Sequence, residues 1–194
     1  MELELEETTV AAGGRELRLL VPPDAEALLD EGAFEHEEFL PYWAELWPSG
    51  VALADALARR DVRGRRVLEL GCGLALPAHT AALAGATVLA TDWSPDAIGL
   101  LRANAERNGA ALEAAVSSWT DPRAELTGAP WDLVLAADVL YERRNGDLLL
   151  ELLPRLTREV LLADPGRPHL AGFLDRAAAD WAVERNGTVY CLSR

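Results

Sequence analysis

Three groups of residues in this sequence have types and spacings that can do chemistry. The first is Glu69-Leu70-Gly71-Cys72-Gly73, which closes the apolar run Val67-Leu68 and leads into Leu74-Ala75-Leu76-Pro77 and a helical pattern. Glycines at such a strand-to-helix turn let the backbone pass close to a ligand, and the free N–H groups of the following helix face the crevice. The second is Asp92, 23 residues beyond Glu69, at the end of another apolar run. That is close to the interval at which an acid on the second strand of a nucleotide-binding fold accepts both ribose hydroxyls; alone, it is equally a strand-end cap. The third is Asp138 with Tyr141, following the almost unbroken apolar run 131–137. An acceptor and a phenol there can hold an amine nucleophile, or serve as a helix N-cap and a packing tyrosine.

The ligand is constrained by two departures from the dinucleotide pattern. G-x-G-x-x-G requires glycine where this chain has Leu76, which disfavours NAD. Glu69 at the strand tip repels phosphates but accepts a hydrogen bond from a cationic, amine-bearing ligand. S-adenosylmethionine meets both demands and a pyrophosphate does not, although a glycine pair by itself is also just a tight turn. Further candidates flank this centre. Trp47, next to Pro48 at a helix start, lines a ligand pocket, whereas Trp43 divides between pocket and core. Trp93 can stack on a base, and Trp119 either contacts adenine or caps the core beneath the loop 121–130. Ala137, after Ala136, leaves room beside the strand tip.

The elements that position these residues read from periodicity. Alternation over 2–10 and 16–21, across Gly13-Gly14, predicts a short hairpin; Pro22-Pro23-Asp24 then opens a short helix to about Asp30 with Asp24 as its N-cap. Ser49 caps a helix over 50–60. Strands follow at 67–70, 86–93, 111–116, 131–141 and 159–164, alternating with helices at 77–83, about 95–108, 146–156 and 169–180. Segments 182–185 and 188–192 flank Asn186-Gly187, a strong hairpin signal. The expected fold is α/β: a Rossmann-like doubly wound sheet of seven strands, mostly parallel, with a C-terminal antiparallel hairpin and a short N-terminal hairpin and helix. Residues 1–194 read as one domain, 1–40 being an extension to the core 41–194.

Composition excludes several classes. Half of the 194 residues are hydrophobic, enough for one substantial core, and no apolar run reaches membrane-spanning length. The opening Met1-Glu2-Leu3-Glu4-Leu5-Glu6 has no basic-then-apolar leader, so a soluble, cytoplasmic protein without a membrane partner is expected. Cys72 and Cys191 suggest neither a disulfide framework nor zinc, and His36, His79 and His169 lack ligand spacing, so no metal is expected. The net charge of −14 comes from 32 acidic against 18 basic side chains, the latter all arginine. Nucleic acid is therefore an unsuitable partner; the acidic surface steers a basic, lysine-rich one or simply confers solubility.

Taken together, Glu69-Leu70-Gly71-Cys72-Gly73, Asp92, Asp138-x-x-Tyr141 and the terminal hairpin resemble the class I, seven-strand S-adenosylmethionine-dependent methyltransferases, from about Leu40 to the end. Pro41-Tyr42-Trp43-Ala44-Glu45-Leu46-Trp47-Pro48-Ser49-Gly50, the Asp-x-x-Tyr segment and Asp164-Pro165-Gly166-Arg167-Pro168 are similar to the small protein-lysine methyltransferases, including those that modify the β subunit of electron transfer flavoprotein. The resemblance implies that residues 69–73 bind the methionine part of S-adenosylmethionine and that Asp92 binds its ribose. Adenine would lie near Trp93 and Trp119, further cofactor contacts would come from Trp47 and Ala137, and Asp138 and Tyr141 would lie nearest the methyl acceptor. It also implies methyl transfer to an amine nitrogen, foremost a protein lysine, with S-adenosylhomocysteine as product. The alternatives are a small-molecule amine or pyridine as acceptor, or a cofactor-binding protein without transfer. Two positions depart from the family: Ala75 from the fuller glycine pattern, and Ser49, where the flavoprotein-modifying enzymes tend to have glycine.

Overall fold

A computed structural model describes residues 4–23, 41–122, 124–128 and 130–194. The helix expected after Pro23, with Asp24 as cap, lies outside them. A seven-stranded sheet runs in the order β5-β4-β3-β6-β7-β9-β8, built from β3 (Arg66–Leu70), β4 (Thr87–Asp92), β5 (Glu113–Val116), β6 (Leu133–Ala137), β7 (Glu159–Ala163), β8 (Ala182–Asn186) and β9 (Val189–Ser193). The first five strands pair in parallel, and β9 is antiparallel to both β7 and β8. Helices α1 (Pro48–Leu57), α2 (Leu76–Leu83), α3 (Pro95–Asn108), α4 (Ala124–Thr127), α5 (Arg143–Leu156) and α6 (Leu170–Ala177) connect them. Among the described residues, no helix is long and apolar enough to cross a membrane.

Apolar strands form the middle of the sheet because both of its faces are covered. On one face Leu68, Leu70, Val134 and Leu162 pack with Leu149, Leu153 and Leu156 of α5 and Phe173 of α6. On the other, Val67, Leu133, Leu135 and Leu161 pack with Leu53 and Leu57 of α1, Ala78 and Ala81 of α2, and Ile98 and Leu101 of α3. Local signals end the helices where expected: the Ser94 hydroxyl accepts from Ala97 N (3.3 Å), and Gly109, at φ +63°, closes α3 in the left-handed region.

Some boundaries differ from the sequence expectation. Helix α1 begins at Pro48 with Trp47 in the cap position, so Ser49 lies inside the first turn, buried, and caps nothing. Proline at the first helical position, with fixed φ and no N–H to satisfy, moves the start ahead of the serine. Strand β6 starts at Leu133, with Trp131 making only an isolated bridge to Thr157, and the segment 121–130 contains the short α4. Helix α5 begins at Arg143 rather than 146; Gly146 sits within it, and a Cβ there would lie 3.6 Å from the Phe173 ring.

A hairpin of β1 (Glu6–Ala12) and β2 (Arg15–Val21) packs Val10, Ala12, Leu17 and Leu19 against Ala54 and Leu76. Two asparagines of α3 grip it. The Asn104 amide accepts from Leu20 N (2.7 Å) and donates to Leu20 O (3.0 Å); Asn108 does the same at Arg18 N (2.9 Å) and Arg18 O (2.8 Å). The match is geometric: four helical residues rise roughly 6 Å and two strand residues roughly 6.7 Å, so i,i+4 side chains meet i,i+2 backbone groups. Replacing Asn104 with Ala strips both bonds from part-buried Leu20 groups. The expected cost is about 1–3 kcal/mol, a fall of several degrees in Tm by differential scanning fluorimetry; an unchanged Tm would refute the grip.

Candidate functional site

The glycine turn after β3 takes left-handed backbone at alternate residues: Gly71 at φ +62°, Gly73 at +48° and Ala75 at +56°. A Cβ on Gly73 would also sit 3.0 Å from the Trp43 carbonyl, so both conformation and space demand glycine there. Ala75, the departure from the fuller pattern, adopts the same region at a cost of about 1–2 kcal/mol. Asp92 fastens this turn to the tip of β4. Its Oδ2 accepts from Gly73 N and its Oδ1 from Ser94 N, each at 3.0 Å, leaving further lone pairs for ligand hydroxyls. Burial raises the Asp92 pKa, against the lowering pull of the Ser94, Gly73 and Trp93 amides.

Glu69 is buried at the end of β3, where Oε2 accepts from Ala78 N at 2.8 Å. Loss of hydration raises its pKa to about 8; the Ala78 hydrogen bond opposes this, and the charge of Asp92 adds to it. Such an acid regains its charge when a cation is brought to it. Burial, with Asp92 and Glu69 nearby, also pushes the Cys72 thiol well up, which leaves it an unreactive packing residue. His79, in α2, meets Ala75 O through Nδ1 (2.7 Å), and burial lowers its pKa. Among the described residues, no group of three or more His, Cys, Asp or Glu side chains is arranged to hold a metal.

At the tip of the neighbouring strand, Asp138 follows β6 in left-handed backbone, φ +58°, with its N–H bonded to Ala163 O (2.8 Å). Its carboxylate is buried and engaged at both oxygens: Oδ1 accepts from Arg167 Nε at 2.7 Å, and Oδ2 from the Ser49 hydroxyl at 3.1 Å. Arg167 is delivered by the turn after β7, where Asp164 Oδ1 accepts from Gly166 N and Arg167 N, both at 2.7 Å. Its guanidinium lies over the Trp47 ring, 5.2 Å from the centroid. Trp47 in turn donates from Nε1 to Tyr42 O (2.7 Å), and the Tyr42 ring is 5.4 Å from that of Tyr141. Burial raises the Tyr141 pKa, opposed by a hydrogen bond with Asn145.

These walls enclose one cavity of about 690 Å³, within the range of small-molecule sites. Every residue singled out from the sequence lines it: Trp47, Glu69, Gly71, Cys72, Gly73, Asp92, Trp93, Trp119, Ala137, Asp138 and Tyr141. Trp93 stands at the rim, 38% exposed, while Trp119 serves two purposes, lining the cavity and packing against the core beside Gly71. Arg167 enters the sequence analysis only as part of the Asp164–Pro168 motif, without a role of its own, and Ser49 as a helix cap; the structure brings both to Asp138. The available signal was Asp164-Pro165-Gly166, a strand-tip turn that aims the next side chain inward. Among the described residues, the lining carries four further acidic side chains (Glu45, Asp92, Asp138, Glu142) besides the protonated Glu69, against two guanidiniums (Arg144, Arg167). That balance suits a cationic ligand with a diol and opposes a polyphosphate.

Residues 41–163 match a family model described as lysine methyltransferase. The chain is 41% identical over 138 residues to the electron transfer flavoprotein beta subunit lysine methyltransferase of Xenopus laevis, covering 66% of this chain and 53% of that protein. It is 30% identical over 145 residues to the histone-arginine methyltransferase METTL23 of Homo sapiens, covering 72% and 74%. The chain thus spans about half the length of the flavoprotein-directed relatives it matches. Among solved structures, magnesium protoporphyrin IX methyltransferase (ChlM) from Synechocystis PCC 6803 with bound SAM superposes with a TM-score of 0.62 at 18% identity, covering 87% of this chain and 99% of that one, a likeness of fold.

The raised pKa of Glu69 makes stability depend on pH. The folded carboxyl keeps its proton to about pH 8, whereas an unfolded one ionises near 4.5, so stability falls as pH rises through that window and is level above it. Glu69→Gln should remove this slope. Its stability advantage over wild type, read as a Tm difference, should grow from about pH 5 to about pH 8, to the order of a few kcal/mol in free energy, and then stay constant. Parallel Tm-versus-pH curves for the two proteins would contradict the burial of an uncompensated acid.

Proposed function

The chain belongs to the lysine methyltransferase family, and on that premise we propose that it transfers a methyl group from S-adenosylmethionine to an amine nitrogen, that of a protein lysine. The observation that carries this reading is that Glu69, Asp92, Asp138 and Tyr141 all line a single cavity at the tips of the adjacent strands β4, β3 and β6. When bound, the cofactor supplies a methyl group already activated on a sulfonium and leaves as S-adenosylhomocysteine. In this reading Glu69 takes the cofactor's ammonium group, the backbone of Gly71, Cys72 and Gly73 lies against its methionine part, and Asp92 takes the ribose hydroxyls. Trp93 and Trp119 offer faces to the adenine, with Trp47 and Ala137 completing the cofactor wall.

Transfer from a sulfonium demands little covalent help, so the protein's task is orientation. The acceptor must arrive as a neutral amine. With both Asp138 oxygens already accepting hydrogen bonds, this carboxylate orients the amine through its remaining lone pairs, and the proton passes to water. Tyr141 borders the same end of the cavity with its phenol held neutral, able to donate or accept a hydrogen bond. We place the activity in the cytoplasm, a reading supported by two unpaired cysteines.

Isothermal titration with S-adenosylmethionine tests the cofactor wall. Labelled-methyl transfer to purified electron transfer flavoprotein β subunit, and to a lysate split by size, tests the acceptor; residue mapping by mass spectrometry separates lysine from arginine. Because the chain contains no lysine, methyl-lysine in that assay cannot arise from the enzyme. Binding and label on a protein lysine are expected, and label confined to small molecules would replace the protein acceptor with a free amine. Asp138→Asn, which tolerates the left-handed backbone, should lower kcat about 100-fold while leaving the cofactor Kd within about threefold. Equal losses in both would remove Asp138 from the acceptor end.

A further inference from the structure

We infer that Arg167, acting with Ser49, is a positioning residue for the methyl acceptor: it holds the Asp138 carboxylate in one orientation toward the cavity. This rests on the function proposed above. The left-handed backbone at Asp138 fixes where its side chain departs but not the rotation of its carboxylate. That rotation is set by two donors from opposite parts of the chain, Arg167 Nε on Oδ1 and the Ser49 hydroxyl on Oδ2. A carboxylate free to rotate would present its lone pairs to the amine only part of the time; one pinned at both oxygens presents them in a constant direction.

Arg167 is itself over-determined. Its backbone N–H is tied to Asp164 Oδ1, its guanidinium rests on the Trp47 ring, and its Nε meets Asp138. Arginine suits this task because the planar guanidinium can stack on an indole while an edge N–H donates to a carboxylate, which a lysine ammonium cannot do. Ser49 performs the complementary task from the first turn of α1, where its burial leaves the hydroxyl directed at Asp138. The segment 41–50 and the turn after β7 therefore converge on one side chain, although neither is near it in sequence.

The test measures labelled-methyl transfer to the electron transfer flavoprotein β subunit, or to whichever acceptor the preceding assay identifies. The proteins are wild type, Arg167→Met, Arg167→Lys and Ser49→Ala, each also in the Asp138→Asn background. Arg167→Met should lower kcat about 30-fold with the acceptor KM and the cofactor Kd within about threefold, and Arg167→Lys should recover part of the loss. Ser49→Ala should cost about threefold to tenfold in kcat and, as the milder change, carries the test if Arg167→Met fails to fold. In the Asp138→Asn background each should add less than about twofold, because their effect runs through Asp138. Wild-type kcat in both Arg167→Met and Ser49→Ala, or losses that multiply with Asp138→Asn, would overturn the inference while leaving the methyltransferase reading intact. An inactive wild type would overturn the reading and this inference with it.

Discussion

The parallel pairing of β3 between β4 and β6 is the constraint on which the rest of the site depends. Leu70 pairs with Thr91 on one side and with Ala136 on the other, so the chain leaves the sheet at Gly71, Asp92 and Ala137 on one level. The glycine turn, the acid of β4 and the Ala137-Asp138 step therefore share one edge without any long-range loop to gather them. A slip of one residue in either pairing would reverse the side-chain faces of a strand and take its tip out of the cavity. The apolar side chains buried on both faces hold that register, and in this sense the core sets the geometry of the polar edge.

Backbone strain is concentrated at the same edge. Among the described residues, the non-glycine positions with positive φ are Ala75 and Asp138, one at the foot of the glycine turn and one at the acceptor end. Each is fixed by neighbours: Ala75 N donates to Cys72 O at 2.7 Å, and Asp138 N to Ala163 O at 2.8 Å. An energetic cost of about 1–2 kcal/mol at each is tolerable only where the surroundings over-determine the conformation. Both sites show such surroundings, in the packed start of α2 and in the paired oxygens of Asp138.

Much of this was legible in the sequence because the informative signals are local. The continuous apolar runs of β6 and β7, the alternating glycines, Ser94 before Pro95, and Asn186-Gly187 each act within a few residues, and the strands and turns follow them. What was not legible depends on contacts across the fold. Arg167 and Asp138 are 29 residues apart and Ser49 and Asp138 are 89 apart, and nothing local to Ser49 distinguishes a cap from a donor to a distant acid. Pro48 moves the helix start two residues ahead, and that difference changes the serine's role. Gly146 misleads in a similar way: it reads as a helix boundary, but it lies inside α5, where the packing against Phe173 and Leu140 holds the helix through it. Sequence alone divides Trp119 between core and cavity, and its ring reaches both.

The asparagine grip on β2 has a consequence for how molecules of this protein meet one another. An open hairpin offers an outward row of N–H and C=O groups on which a strand from another copy can assemble. Here the outward groups of Arg18 and Leu20 are already saturated by side-chain amides that imitate a neighbouring strand yet present no backbone of their own to extend the ladder. The opposite edge, on β1, carries the exposed Glu6, whose charge discourages an incoming strand, while the neighbouring Glu7 pairs with Arg107 of α3. Helix α3 thus terminates the ladder chemically, and a segment exposed enough to seed β-type self-association is kept from doing so by two carboxamides.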